Sequence, residues 1–155
     1  MAIGQDDRCP CGSGRSTAQC HVHVVDEAPA PLRRRPTNTD GDPLLYTEDR
    51  YALDGDPEEL IVRLRRLRGL LVEGEGPDGT RISFVRKGNR IYTSWDQTVV
   101  GHALVQRERL VLTTNSVRRA DLLRKRVERV AGDLLGRRIR SHQDPTSAAA
   151  AEPAR

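Results

Sequence analysis

Aromatic residues are scarce in this chain of 155 residues: they make up 3% of it, as one Phe, one Trp and three Tyr. A core must therefore be assembled from Leu, Val and Ile. Long apolar runs are missing too. Leu70-Leu71-Val72 is typical of the longest, far short of the ~20 residues that span a bilayer. No charged stretch followed by an apolar one opens the chain, so a secretory signal is not expected. These absences predict a cytoplasmic protein with no membrane span. Lysine is nearly missing: Lys87 and Lys125 stand alone, and arginine supplies the rest of the 26 basic residues set against 22 acidic ones. Cysteine occurs three times, an odd number, and only within residues 9–20. That argues against a disulfide framework and for a metal site.

The cysteines lie in the string Cys9-Pro10-Cys11-Gly12-Ser13-Gly14, followed by Cys20-His21. Three thiolates and one imidazole satisfy the tetrahedral preference of zinc. Cys-Pro-Cys places two sulfurs on one turn, and Gly12 and Gly14 let the backbone fold back over it. Four protein ligands leave no open coordination position, so one structural Zn2+ is expected rather than a catalytic one. His23, two residues beyond His21, is an alternative fourth ligand, and iron an alternative metal. Bound zinc would fold this segment, which is too short to bury enough apolar surface on its own.

The string Cys9-Pro10-Cys11-Gly12-Ser13-Gly14 with Cys20-His21 resembles the SEC-C motif, the zinc-binding module named from the C-terminal end of the SecA translocation motor. The resemblance spans residues 9–21. It implies a small ββα-like zinc knuckle with Cys9, Cys11, Cys20 and His21 as ligands. Members of the family carry lysines and an aromatic between the ligand pairs. Here that stretch is Arg15-Ser16-Thr17-Ala18-Gln19, which has neither. Asn38 to Leu44 and Thr114 to Leu123 resemble a region that accompanies SEC-C motifs in some bacterial proteins, and this likeness implies no activity.

Residues 1–8 read as a flexible lead-in and 9–21 as the knuckle. Residues 22–43 read as a linker, because Pro29, Pro31, Pro36 and Pro43 disfavour helix and central strand alike. Residues 44–141 read as an α+β domain, and 142–155 as a disordered tail. Within the domain, Leu44 to Leu53 is strand-like. Asp56-Pro57-Glu58-Glu59 is a helix start, with Leu60, Leu64, Leu67 and Leu71 in a stripe behind it. Gly74 to Gly79 is read as the break after that helix. Arg81–Arg86 and Ile91–Trp95 read as a hairpin about Lys87-Gly88-Asn89-Arg90, with Trp95 as a sheet anchor. Thr98–Val105 and Arg109–Thr114 read as a second pair of strands. Asn115-Ser116 begins a helix with Val117, Ala120, Leu123, Val127, Val130 and Leu134 on one face, ended by Gly136. A last strand, Arg137–Ser141, is anchored by Ile139. The expected architecture is an antiparallel sheet with two helices on one face.

Charge is unevenly spread. Residues 42–60 hold seven acidic residues against Arg50, and residues 116–141 hold nine basic residues against three acidic. Mutual neutralisation in the fold is the first expectation, and a free basic face the second. Candidate contacts for nucleic acid or another partner are Arg33, Arg34 and Arg35, together with Arg118, Lys125 and Arg129, which lie off the apolar stripe of the second helix. Aromatics do not alternate with these cations as in base-stacking surfaces. Asn38, Asp40 and Asp42 have the spacing of a calcium loop, but Pro43 stands where that loop requires glycine, so a simple turn is expected. His102 is read as structural. There is no G-x-S-x-G, no phosphate loop and no H-E-x-x-H. No small-molecule substrate is evident, and an enzyme is not expected. The leading expectation is a non-catalytic zinc-binding adaptor with a protein or ribonucleoprotein partner. The alternative is a nucleic-acid or ribosome-binding protein, with a metal-dependent enzyme as a minor one.

Overall fold

The computed structural model describes residues 36–145. The expected metal ligands Cys9, Cys11, Cys20, His21 and His23, the arginines 33–35 and residues 146–155 lie outside the described residues. The domain contains six strands and two helices: β1 (Tyr46–Leu53), α1 (Pro57–Leu64), β2 (Leu70–Gly76), β3 (Gly79–Lys87), β4 (Gln97–Val105), β5 (Arg109–Thr114), α2 (Val117–Ala131) and β6 (Leu135–Gln143), with a 3-10 turn at Gly132–Leu134 before β6. The strands form one sheet in the order β2-β3-β4-β5-β1-β6, and every neighbouring pair is antiparallel. Both helices contribute to a single core on one face of the sheet. Leu60, Leu64 and Val127 meet Ile82, Phe84 and Leu110 there, all fully buried. The expected α+β layer with two helices on one face is thus observed.

Local chemistry explains the elements read correctly. Along β1, Thr47, Asp49, Tyr51 and Leu53 are buried in alternation with more exposed neighbours, as a strand with one covered face requires. The Asp56 side chain accepts from the Glu58 amide, Pro57 begins α1, and Glu58 and Glu59 sit at its positive end. The Ser116 hydroxyl accepts from the Arg119 amide and starts α2.

Three boundaries differ from the sequence reading. The leucine stripe does not continue as helix past Leu64. The amides of Arg66 and Leu67 turn to carbonyls three residues back, tightening the end of α1, and Gly69 then takes φ +76°. The Val85 amide donates to the Gly69 carbonyl at 2.7 Å, and a Cβ at Gly69 would lie 2.0 Å from the Val85 carbonyl oxygen. Leu70 and Leu71 therefore enter β2, paired with Phe84 and Ser83. Strand pairing overrides the helical spacing here, which cannot by itself register a distant partner.

The hairpin of β3 is likewise made with β2, through Pro77-Asp78, and not with Ile91–Trp95. Residues 88–96 form a loop, because the Asn89 side chain takes the amides of Ile91 and Tyr92, which a ladder would otherwise use. Nine-residue β4 supplies the other neighbour of β3. Finally, α2 ends at Ala131 and Gly136 lies inside β6. A Cβ at Gly136 would lie 2.6 Å from Asp54 Oδ2, the end of an exposed side chain that can turn away. Val117 and Ile139, read as apolar anchors, are exposed.

Residues 36–43 are hydrogen-bonded onto the start of α2. Asn38 is buried; its Oδ1 accepts from the amides of Asp40 and Asp42, and its Nδ2 donates to Asn115 Oδ1 at 3.2 Å. Proline excludes helix here but not a side-chain-closed turn.

Candidate functional site

The chemistry of the domain begins with its ion pairs, because they determine which cations remain available. The acidic and basic segments do meet. Asp49, with its side chain 1% exposed, accepts from Arg140 Nε and Nη2 at 2.7 Å and from Arg138 Nη1 at 2.9 Å. Burial pushes its carboxyl up, but Arg140 and Arg138 outweigh this and hold it below the usual carboxylate range. Arg140 also reaches Asp121. Arg63 is taken by Glu59 and Asp133.

The turn at 36–43 neutralises a second group. Asp40 accepts from Arg86 Nη2 at 2.6 Å and Arg119 Nε at 2.9 Å. The Arg86 hydrogen bond is the strongest influence holding its carboxyl low, with Arg119 adding to it against the effect of burial. Asp42 takes Ser116 Oγ at 3.0 Å and a longer contact from Arg118 at 3.4 Å. The calcium-loop spacing is thus occupied by side-chain partners of this domain. Among the described residues no group of three or more His, Cys, Asp or Glu is placed to hold a metal.

These pairings leave a cleft of about 1090 Å³ bounded by α2, by the residues that follow α1 and by the loop between β3 and β4. The helix presents Arg118, Leu122, Lys125 and Arg129 to it at steps of four, three and four, one stripe of an α-helix. Of the expected contact residues, Arg118, Lys125 and Arg129 are therefore brought together. The tertiary structure adds Arg68 from the turn held by Gly69, Lys87 from the end of β3 and Arg90 from the start of the loop. Arg68, Lys87, Arg90, Lys125 and Arg129 are all exposed, and none pairs with a carboxylate among the described residues. Arg126 lies at the same wall and donates to the Arg68 carbonyl at 2.6 Å. Val85, Val100 and Leu123 are apolar lining residues, and Asp96 is an acid on the wall beside Asp40 and Asp42.

Trp95 also lines the cleft. It is 53% exposed and does not anchor the sheet. It stacks on Tyr92 with centroids 4.5 Å apart and planes inclined by 24°. No signal in residues 91–95 distinguished an exposed aromatic loop from a strand, because β-branched and aromatic residues suit both. The sequence likewise gives no sign that Arg68, Lys87 and Arg90 share one cleft with α2. His102 lies on the opposite face of the sheet from the helices, where its Nδ1 is 2.9 Å from Ser83 Oγ, which also bonds Glu73.

No family model, curated protein or solved structure matches the chain. Among the described residues no helix is long and apolar enough to cross a membrane.

Proposed function

We propose that this protein binds nucleic acid through the basic cleft, and that its N-terminal segment is a separate knuckle built on one structural zinc ion. The observation that carries the first part is the set of five exposed cations around one cleft that have no carboxylate partner among the described residues. Like charges gathered in excess of the three aspartates on the same wall repel one another, and a polyanion relieves that repulsion while releasing its own condensed counterions. Arg50, Arg63, Arg138 and Arg140 are neutralised internally, whereas Arg65, Arg66, Arg81, Arg107, Arg109 and Arg137 are exposed without a carboxylate partner among the described residues and lie outside the cleft; what distinguishes the cleft is that its cations converge on one concavity. The titratable lining of this cleft is arginine, lysine and three aspartates, of which Asp40 and Asp42 are held by Arg86, Arg119, Arg118 and Ser116.

For the second part, the support is the donor set. Three thiolates and an imidazole from Cys9, Cys11, Cys20 and His21 suit tetrahedral zinc and would complete its coordination shell. A zinc ion so held supplies folding free energy to its segment and no reactive position. Arg33, Arg34 and Arg35 lie between the knuckle and the domain in sequence and are three further candidate cations for a polyanion.

Fluorescence anisotropy of a labelled 15-mer oligonucleotide, repeated across a salt series, tests this reading. Affinity is expected to fall steeply as salt rises, with a slope of about 0.7 in log–log form for each phosphate contacted on a single strand. Lys125→Ala with Arg129→Ala is expected to lower that slope by about 1.4. Arg50→Ala, on the far face of the sheet and paired with Glu48, is expected to leave it unchanged. No binding at low salt overturns the proposal.

A further inference from the structure

We infer that the cleft selects unpaired bases over duplex, with the Trp95 indole as the platform on which a base stacks; this rests on the nucleic-acid reading above. The domain has few aromatics, and Tyr51 and Phe84 are buried in its core. Trp95 is instead held half in solvent at the rim of a cationic cleft. Tyr92 stacks against it without itself lining the cleft, so Tyr92 backs the indole while about half of Trp95 stays accessible to a ligand at the cleft. An aromatic pair left in this position adds apolar surface that the core does not use.

The platform is also pre-set. Asn89 Oδ1 accepts from the amides of Ile91 and Tyr92 at 3.0 and 2.9 Å, and Asn89 Nδ2 donates to Thr98 Oγ1 at 3.0 Å. The Trp95 amide donates to the Tyr92 carbonyl at 2.9 Å, and the Gly88 amide to the Asp96 carbonyl at 2.6 Å. Little ordering of the loop would remain for binding to supply. Cations that contact phosphate read neither base nor strandedness. Stacking does discriminate, because a duplex hides both faces of its bases while a single strand offers them. A cationic groove combined with an aromatic is the combination that single-strand binding uses. Neither partner reads the ribose hydroxyl, so RNA and DNA strands are expected to bind comparably.

Trp95 is the one tryptophan of the chain, so its fluorescence reports the contact directly. Full-length protein is titrated with oligo(dT), oligo(rU), the matching dA·dT duplex, an abasic strand of equal length and poly-glutamate, while anisotropy follows binding independently. Both single strands are expected to quench Trp95 at saturation, and duplex and abasic strand to bind more weakly without quenching. Trp95→Ala is expected to weaken single-strand binding roughly 5- to 150-fold, and to leave abasic binding and the melting temperature unchanged. Trp95→Phe is expected to recover part of the loss. Equal affinity of single strand and duplex, with Trp95→Ala indistinguishable from wild type, overturns the stacking inference and leaves the nucleic-acid reading standing. Failure of every nucleic acid to bind at low salt overturns both. Poly-glutamate binding as tightly as the strands, with unaltered tryptophan emission, assigns the cleft to an acidic protein segment and overturns both as well.

Discussion

Asp40 and Arg119 form an ion pair at 2.9 Å in which each side chain is only 5% exposed. They are separated by 79 positions in the chain, yet they join the turn at 36–43 to the first turn of α2. Arg119 is further held by the Val99 carbonyl, Asn115 Oδ1 and Thr39 Oγ1. The pair fastens the polypeptide leading into the domain against one wall of the basic cleft, and it removes Arg119 from the cations free to meet a ligand.

Removing one partner of such a pair leaves a buried charge without compensation, which costs about 3–5 kcal/mol. Asp40→Ala is expected to destabilise the domain by an amount in that range, because Arg119 and Arg86 both lose their carboxylate. Urea unfolding followed by far-UV circular dichroism checks this, with Asp78→Ala in the β2–β3 turn as a near-neutral control. A loss under about 1 kcal/mol for Asp40→Ala would show that Arg119 is satisfied by its neutral acceptors alone.

Acid should weaken the same contacts. Arg86 and Arg119 lower the Asp40 carboxyl, and for Asp49 the lowering by Arg140 and Arg138 exceeds the opposing effect of burial. A carboxyl whose folded value lies below its unfolded value of ~3.9 contributes stability above that value, and the contribution disappears as pH falls through the folded value. The contribution of these two groups is expected to be full and unchanging with pH near pH 6–7, and stability to decline below about pH 4. Thermal melting across this range, compared between wild type and Asp49→Asn, checks the sign. The variant is expected to start less stable and to lose less on acidification.

Gly69 is expected to be intolerant of alanine. Its φ of +76° and the 2.0 Å approach of its missing Cβ to the Val85 carbonyl oxygen leave no unstrained alternative. Gly69→Ala should destabilise the domain by about 2 kcal/mol or more and should shift Arg68 at the cleft rim. Gly41→Ala, at positive φ but with open space around its Cβ position, should cost less, on the order of 1 kcal/mol. Chemical denaturation of the two variants separates steric conflict from backbone preference.

Zinc content is the measure of the N-terminal proposal. One zinc per chain is expected by elemental analysis. Cys9→Ser, Cys20→Ser and His21→Ala should each lower it while leaving the circular dichroism melt of the 36–145 domain in place. Retention by His21→Ala together with loss in His23→Ala would move the fourth ligand to His23.

Much of this molecule is local in origin. The Asp56-Pro57-Glu58-Glu59 start, the Ser116 cap, the alternation along β1 and the cationic stripe of Arg118, Lys125 and Arg129 are all readable in the sequence. Each depends on neighbours within about one helical turn or on the period of a strand. Partners distant in the chain decided the rest. Leu70 and Leu71 are strand because β3 lies beside them, and Trp95 is exposed because Asn89 closes a loop where a hairpin return was expected. The basic residues differ in role for the same reason: Arg140 is consumed by Asp49, 91 positions away, whereas Lys125 and Arg129 meet no carboxylate among the described residues. Composition counts charges, but only the fold pairs them, since an ion pair depends on distance in space and carries no periodic mark in the chain.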